Sequence, residues 1–188
     1  MNNCLDNRTI LVTGGSRSGK STFAERLGES VEGPKAYVAT CPKIDWEMEQ
    51  RIAKHKASRQ GKGWHTVEES LALSTVLSNL NDYSVVLVDC LTLWINNILF
   101  EATNNGHTVD ENQIVVLVKE IKAVVQQCRF ITIFVTNEVG LGLVPPDPIS
   151  RLYRDLVGRC NQEIAKWADE VVLMTAGIPL KIKEGDFR

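Results

Sequence analysis

The chain has 188 residues, 44% of them hydrophobic and 23% charged, with a formal net charge of −2; this is the balance of a globular protein long enough to bury a sizeable core. So small a net charge argues against the basic field of a nucleic-acid binder, and no apolar run reaches the length of about eighteen residues that a membrane span needs. Cys4, Cys41, Cys90, Cys128 and Cys160 are odd in number and scattered, without a C-x-x-C pair. With an N-terminus that lacks a signal-peptide core, they predict reduced thiols in a cytoplasmic protein.

The first element, Thr9-Ile10-Leu11-Val12-Thr13, is short, β-branched and apolar, which predicts a strand. It runs into Gly14-Gly15-Ser16-Arg17-Ser18-Gly19-Lys20-Ser21, the full spacing of a phosphate-binding P-loop. Glycines there let successive N–H groups turn inward toward phosphate oxygens, and the following helix presents its positive end to the same anion. The pattern assigns Lys20 to the β- and γ-phosphates of a nucleoside triphosphate and the Ser21 hydroxyl to Mg²⁺. Arg17 could touch phosphate or a partner subunit. The helix that follows carries Phe23, Leu27 and Val31 on one stripe.

Gly33-Pro34 stops that helix, and Lys35 to Thr40 predicts a second strand. Its end, Ala39-Thr40-Cys41, should lie near the nucleotide, because ligands bind beyond the carboxyl ends of strands in open α/β sheets. Residues 45–58 predict a polar helix with Met48, Ile52 and His55 on one face, and residues 59–63 a polar loop. Trp64 to Glu68 alternates as a short strand with His65 turned outward, and Leu73, Val76, Leu77 and Leu80 mark an amphipathic helix. Ser84 to Asp89 is an apolar strand ending in a carboxylate, like a Walker B strand. Asp89 there can hold Mg²⁺ or a water of its shell, or simply cap the next helix.

That next helix, with Leu91, Trp94, Ile95, Ile98 and Leu99, is apolar nearly all round and should be buried in the core or against another subunit. A polar loop over residues 103–107 precedes Thr108-Val109-Asp110-Glu111, which fits a capping box. The helix it opens carries Ile114, Leu117, Val118, Ile121, Val124, Val125 and Cys128 at helical spacing. Phe130 to Thr136 predicts a buried strand that exits into the proline-constrained loop Asn137 to Pro146. A long helix from near Ser150 has Tyr153, Leu156, Val157, Cys160, Ile164 and Trp167 as its inner face. Glu170 to Thr175 predicts another strand, and Gly177-Ile178-Pro179 turns the chain into Leu180 to Lys183, an antiparallel edge strand. Apolar strands alternate with helical patterns throughout, without internal repeat or linker, which predicts one α/β domain over residues 1–188 with residues 1–8 and 184–188 frayed.

His55 stands among Arg51, Lys54, Lys56 and Arg59, a setting that attracts polyphosphate. An imidazole with a pKa of about 6.5 is largely neutral at pH 7 and can attack phosphorus, although histidines with surface or packing roles are commoner. Glu68 and Glu138, near strand ends, could bind ribose, base or Mg²⁺, or be merely solvated.

Taken in order, the P-loop, Arg51-Ile52 with His55 and Arg59, Trp64-x-Thr66-x-Glu68, Thr136-Asn137-Glu138-Val139-Gly140-x-Gly142-x-Val144-Pro145, and Arg154-Asp155 with Gly158-Arg159 and Asn161-Gln162 resemble the bifunctional adenosylcobinamide kinase/adenosylcobinamide-phosphate guanylyltransferase family of cobalamin biosynthesis. The resemblance implies a RecA-like P-loop NTPase fold, a mostly parallel sheet flanked by helices, and a homotrimer. It also implies two reactions on a corrinoid substrate: phosphorylation of adenosylcobinamide by ATP or GTP, then transfer of GMP from GTP through a guanylylated histidine. By motif, that histidine is His55, with Lys20 as the second catalytic residue. The nucleotide-binding positions become Gly14, Gly15, Ser16, Arg17, Ser18, Gly19, Lys20, Ser21, Ala39, Thr40, Cys41, Lys56, Ala57, Ser58, Arg59, Glu68 and Asp89, and Ser21 and Asp89 take the metal. Some relatives carry two adjacent histidines in this segment; here the first position is Lys54. Cys160 stands where many relatives are expected to carry valine. Rival expectations are a P-loop small-molecule kinase without a covalent intermediate, and an NTP-hydrolysing switch protein.

Overall fold

The computed structural model describes residues 7–41, 53, 57 and 59–184. Seven strands, β1 (Thr9–Gly14), β2 (Lys35–Ala39), β3 (Trp64–Glu68), β4 (Val85–Asp89), β5 (Ile131–Val135), β6 (Glu170–Thr175) and β7 (Ile178–Lys183), form one sheet in the order β3-β2-β4-β5-β1-β6-β7. All neighbours pair in parallel except β6 and β7, which are antiparallel. The helices are α1 (Lys20–Glu29), α2 (Leu73–Ser78), α3 (Leu91–Asn104), α4 (Glu111–Val125) and α5 (Pro148–Trp167). The architecture is the expected P-loop NTPase-like α/β sheet with an antiparallel C-terminal edge.

A strand buried on both faces carries apolar side chains at every position, and the two-residue period sorts them. Ile10, Val12, Val85, Leu87, Ile133, Val135, Val172 and Met174 pack on the face covered by α1, with Phe23, Ala24, Leu27 and Val31. Leu11, Val86, Val88, Phe134 and Val171 face the opposite layer, where α2, α3, α4 and α5 supply Leu77, Trp94, Ile121, Leu156 and Ile164. The indole N–H of Trp94, buried in that layer, donates to the Leu71 carbonyl at 2.8 Å.

Helix starts differ from the expected ones by small shifts with clear causes. For α4 the capping box forms between Asp110 and Gln113 rather than from Thr108: Asp110 Oδ1 accepts from the Gln113 N–H and Gln113 Oε1 from the Asp110 N–H, both at 2.8 Å. Helix α5 starts at Pro148 because Asp147 Oδ2 accepts from the Ser150 N–H at 2.7 Å. Proline then occupies the first turn, where its missing N–H costs nothing. Helix α3 takes in Thr103 and Asn104 from the expected loop. It buries Leu91, Trp94, Ile95 and Leu99 in the core and leaves Phe100 exposed.

Of the stretch expected to fray, Asn7 and Arg8 are tied in. The Asn7 amide donates to the Val125 carbonyl at 2.8 Å, the Arg8 carbonyl accepts from the Thr132 N–H at 2.8 Å, and the Arg8 guanidinium pairs with Glu170. Most of the polar helix expected over residues 45–58 lies outside the described residues; Ala53 and Ala57 have helical backbone, and so does Arg59, which was expected in the loop.

Candidate functional site

The carboxyl end of β1 delivers the loop Gly14 to Ser21 into α1. Gly14 has φ 146°, and a Cβ there would stand 2.3 Å from the backbone oxygen of Met174, its register partner on β6. The close approach therefore requires glycine. Arg17 and Gly19 also have positive φ, at 57° and 95°. Gly15, Ser16 and Arg17 are exposed, Ser21 is half-buried, and Ser18 and Lys20 are buried. Two neighbours brace the loop: the Gly177 N–H in the β6–β7 turn donates to the Ser18 carbonyl at 3.0 Å, and the Glu138 N–H beyond β5 donates to the Gly14 carbonyl at 2.9 Å.

Lys20 Nζ donates to the Gly15 carbonyl at 2.6 Å and to Ser18 Oγ at 3.5 Å. Burial pushes its ammonium below the usual lysine range, while Cys90 and Asp89 nearby act in the opposite sense. Asp89 ends β4 beside Ala39 and Val135, and its Oδ2 accepts from the Tyr37 hydroxyl at 2.8 Å. Desolvation, then the Asp89 charge, holds that phenol well above its ordinary pKa, so it remains a donor.

Within Ala39-Thr40-Cys41 the structure separates the roles. Thr40 is fully buried, and all its polar atoms are engaged inside the protein. Its N–H donates to the Asp89 carbonyl at 3.1 Å, and its hydroxyl accepts from the Cys90 N–H and donates to the Cys90 carbonyl, each at 2.8 Å. Its carbonyl accepts from the Asn97 amide, also at 2.8 Å. Thr40 therefore braces the β4 exit from behind rather than offering a ligand contact; Ala39 and Cys41 on either side are half-buried.

Arg59 departs further from expectation. Its guanidinium is buried and lies 3.5 Å over the Tyr37 ring, with Nη1 3.4 Å from Glu25 Oε1 on α1. Ala57 is exposed. His55, Lys56 and Ser58 lie outside the described residues, as do Arg51 and Lys54. Glu68 ends β3 next to Ala39 and is exposed. Glu138 Oε1 accepts from the Gly140 N–H at 2.6 Å and shapes its own loop. His65 turns outward as expected, stacks on Tyr83 and lies with Nδ1 2.5 Å from the Tyr83 hydroxyl.

The loop after β5 is pinned by side chains far apart in sequence. Thr136 Oγ1 donates to Asn161 Oδ1 at 2.7 Å, the Asn161 amide donates to the Asn137 carbonyl at 3.1 Å, and Thr92 Oγ1 accepts from the Asn137 N–H at 2.8 Å. The sequence motifs around Asn137 and Asn161 thus meet in space. Tyr37, Glu25, Thr92 and Asn97 carry no spacing signal that would have singled them out.

Among the described residues no group of three or more His, Cys, Asp or Glu side chains converges as a metal cage. A half-buried serine hydroxyl and a single carboxylate nevertheless suit Mg²⁺, a hard ion that keeps several waters and draws its remaining oxygens from substrate phosphates. Ser21 and Asp89 fit that donor set.

Residues 10–182 match the family described as cobinamide kinase / cobinamide phosphate guanyltransferase. The chain is 39% identical over 182 residues to the bifunctional adenosylcobalamin biosynthesis protein CobU of Escherichia coli K12, covering 93% of this chain and 99% of that one. It is 38% identical over 182 residues to the protein of the same name from Salmonella typhimurium, with the same coverage. It is also 38% identical over 174 residues to bifunctional adenosylcobalamin biosynthesis protein CobP of Pseudomonas aeruginosa, covering 92% and 96%. Two solved structures share the fold at 14% identity. One is an ATPase from a bacterial type III secretion system, with a TM-score of 0.57 over 90% of this chain and 51% of that one. The other is the flagellar accessory protein FlaH of Methanocaldococcus jannaschii, with a TM-score of 0.52 over 97% and 82%.

Proposed function

The chain belongs to the cobinamide kinase / cobinamide phosphate guanyltransferase family, and on that premise we propose that one triphosphate cradle serves both of its transfers in cobalamin biosynthesis. The observation that carries this is the buried Lys20 ammonium, held inside the loop at 2.6 Å from the Gly15 carbonyl and facing the Asp89 end of β4. A cation so desolvated, among N–H groups at a helix start, favours a polyanion.

In the kinase step the loop amides and Lys20 hold the β- and γ-phosphates of ATP or GTP. The aminopropanol hydroxyl of adenosylcobinamide attacks the γ-phosphorus in line, and the bond to the β-phosphate oxygen breaks. Mg²⁺, held by Ser21 and Asp89, would supply charge neutralisation on the phosphate oxygens. In the second step a His55 ring nitrogen attacks the α-phosphorus of GTP, a P–N bond forms, and pyrophosphate leaves into the Gly14–Ser21 cradle. A phosphate oxygen of adenosylcobinamide phosphate then attacks the same phosphorus, breaks the P–N bond and returns the imidazole. Arg17, Ala39, Cys41, Lys56, Ala57, Ser58 and Glu68 are proposed nucleotide contacts. The corrinoid is the acceptor. A homotrimer in the cytoplasm accords with this assignment, and among the described residues no helix is long and apolar enough to cross a membrane.

Incubation with α-labelled and γ-labelled GTP tests the covalent step. Label from the α-position should stay on the denatured protein, acid-labile and base-stable, and should vanish in His55→Ala while phosphorylation of cobinamide persists. Undiminished α-label in His55→Ala would overturn the assignment.

A further inference from the structure

Four side chains from separate segments meet on the α1 face of the sheet: Glu25 on α1, Arg59, Tyr37 on β2 and Asp89 on β4. Glu25, Arg59 and Tyr37 are 7%, 5% and 4% exposed, and among the described residues Arg59 Nε has no hydrogen-bond partner. Burying a guanidinium with an unmatched N–H is costly unless the stacking and ion pairing it gains offset the loss of water. Here both are present: the planar group lies 3.5 Å over the Tyr37 ring and 3.4 Å from Glu25 Oε1. Tyr37 sits opposite Leu87 in the parallel register, two residues before Asp89 on the same face. Its phenol therefore runs along the sheet toward the carboxyl edge and donates to Asp89 Oδ2 at 2.8 Å.

We infer that Tyr37 and Arg59 are positioning residues for the Asp89 carboxylate. The Tyr37 hydroxyl occupies one carboxylate oxygen and fixes the rotation that presents the other. Arg59 clamps the tyrosine ring, and Glu25 ties Arg59 to the helix that begins at Lys20. Asp89 on β4 and Ser21 on α1 are thereby held at a set spacing, although they belong to different elements. The inference rests on the proposed role of Asp89 and Ser21 as metal ligands. It also gives Arg59, which the motif suggested as a nucleotide contact, work at one remove from the phosphates.

The test titrates Mg²⁺ into the full chain with a fluorescent GTP analogue and reads nucleotide binding, with circular dichroism melting as the check on folding. Wild type, Tyr37→Phe, Arg59→Lys, the double variant and Asp89→Asn are compared. Tyr37→Phe keeps the ring and the stack but loses the hydroxyl, and should need about tenfold more Mg²⁺ for half-saturation, with binding in excess chelator unchanged. Arg59→Lys keeps the charge but loses the planar clamp and should shift Mg²⁺ dependence in the same direction. Because the two residues act in series, the double variant should be no worse than Tyr37→Phe. Wild-type Mg²⁺ dependence in Tyr37→Phe, or multiplied effects in the double variant, would overturn the inference. Wild-type Mg²⁺ dependence in Asp89→Asn would remove the metal role of Asp89 and the inference with it. A wild-type protein that binds no GTP analogue would instead overturn the nucleotide site itself.

Discussion

Lys20 Nζ donates to the Gly15 carbonyl at 2.6 Å, so the ammonium is stored inside the loop it is to serve. A phosphate oxygen makes a stronger, charge-assisted partner than a neutral carbonyl, and the lysine can exchange one for the other without leaving its place in the helix. Lys20→Met should lower both transfers by roughly 10²–10³-fold, the usual cost of one donor to developing charge. Burial already works against the Lys20 charge, so the nucleotide-free variant should melt at the same temperature as wild type or higher. Steady-state assays of both reactions and a thermal melt check this; wild-type rates in the variant would refute the assignment of Lys20.

Gly14 and Gly15 are adjacent in the motif but under different constraints. A Cβ on Gly14 meets the Met174 backbone oxygen at 2.3 Å and Ser18 Oγ at 2.9 Å, on a backbone at φ 146°, whereas one on Gly15 meets nothing among the described residues within 4 Å. Gly14→Ala should destabilise the fold by about 3 kcal/mol and disturb the β1–β6 pairing, while Gly15→Ala should stay within about 1 kcal/mol of wild type. Urea denaturation of the two variants decides it, and equal midpoints would contradict the contact geometry.

The strands and most helix faces were legible because each is a local pattern: a period of two in β3, continuous apolar runs in β1 and β4, and helical spacing in α4 and α5. The P-loop was legible because its chemistry fixes residue types at a fixed spacing. Arg59 was not. It was expected in a polar loop as a nucleotide contact, but its partners Glu25 and Tyr37 come from two other elements, and no linear spacing encodes such a meeting. Thr40 was placed correctly at the strand end, yet its hydroxyl turns toward Cys90, a choice set by the neighbouring strand. Asp110 displaced Thr108 as the cap because the reciprocal bonds with Gln113 satisfy two helix N–H groups at once.

Thr40→Val tests the brace behind Asp89. The substitution keeps shape but removes a hydroxyl that satisfies both the N–H and the carbonyl of Cys90 in the buried interior. Stability should fall by about 1–3 kcal/mol, the cost of leaving buried polar groups unmatched. Thr40→Ser should recover most of it, because the hydroxyl is what matters. A Thr40→Val protein as stable as wild type would show that the Cys90 groups find other partners.

Cys160, on the inner face of α5, is fully buried, and desolvation pushes its thiol from an ordinary 9.0 up to about 12. Below pH 9 the thiol is protonated in both the folded and unfolded chain and contributes no pH dependence. Above pH 9 the unfolded chain releases the proton while the folded protein keeps it until about pH 12, so the unfolded state binds fewer protons and stability falls as pH rises. Cys90, raised to about 12 mainly by desolvation and next by Asp89, and Tyr153, raised to about 12 mainly by desolvation, act in the same direction. Cys160→Val fills the site with a side chain of similar size that cannot ionise, and Cys160 lies in the core layer on the face of the sheet opposite α1. Melting temperatures measured from pH 8 to pH 11 should therefore fall less steeply in Cys160→Val than in wild type, without becoming flat, while both transfers keep wild-type rates at pH 8. Parallel alkaline declines in the two proteins would mean that the Cys160 thiol ionises over the same pH range in the folded and the unfolded chain, and that the loss belongs to other groups.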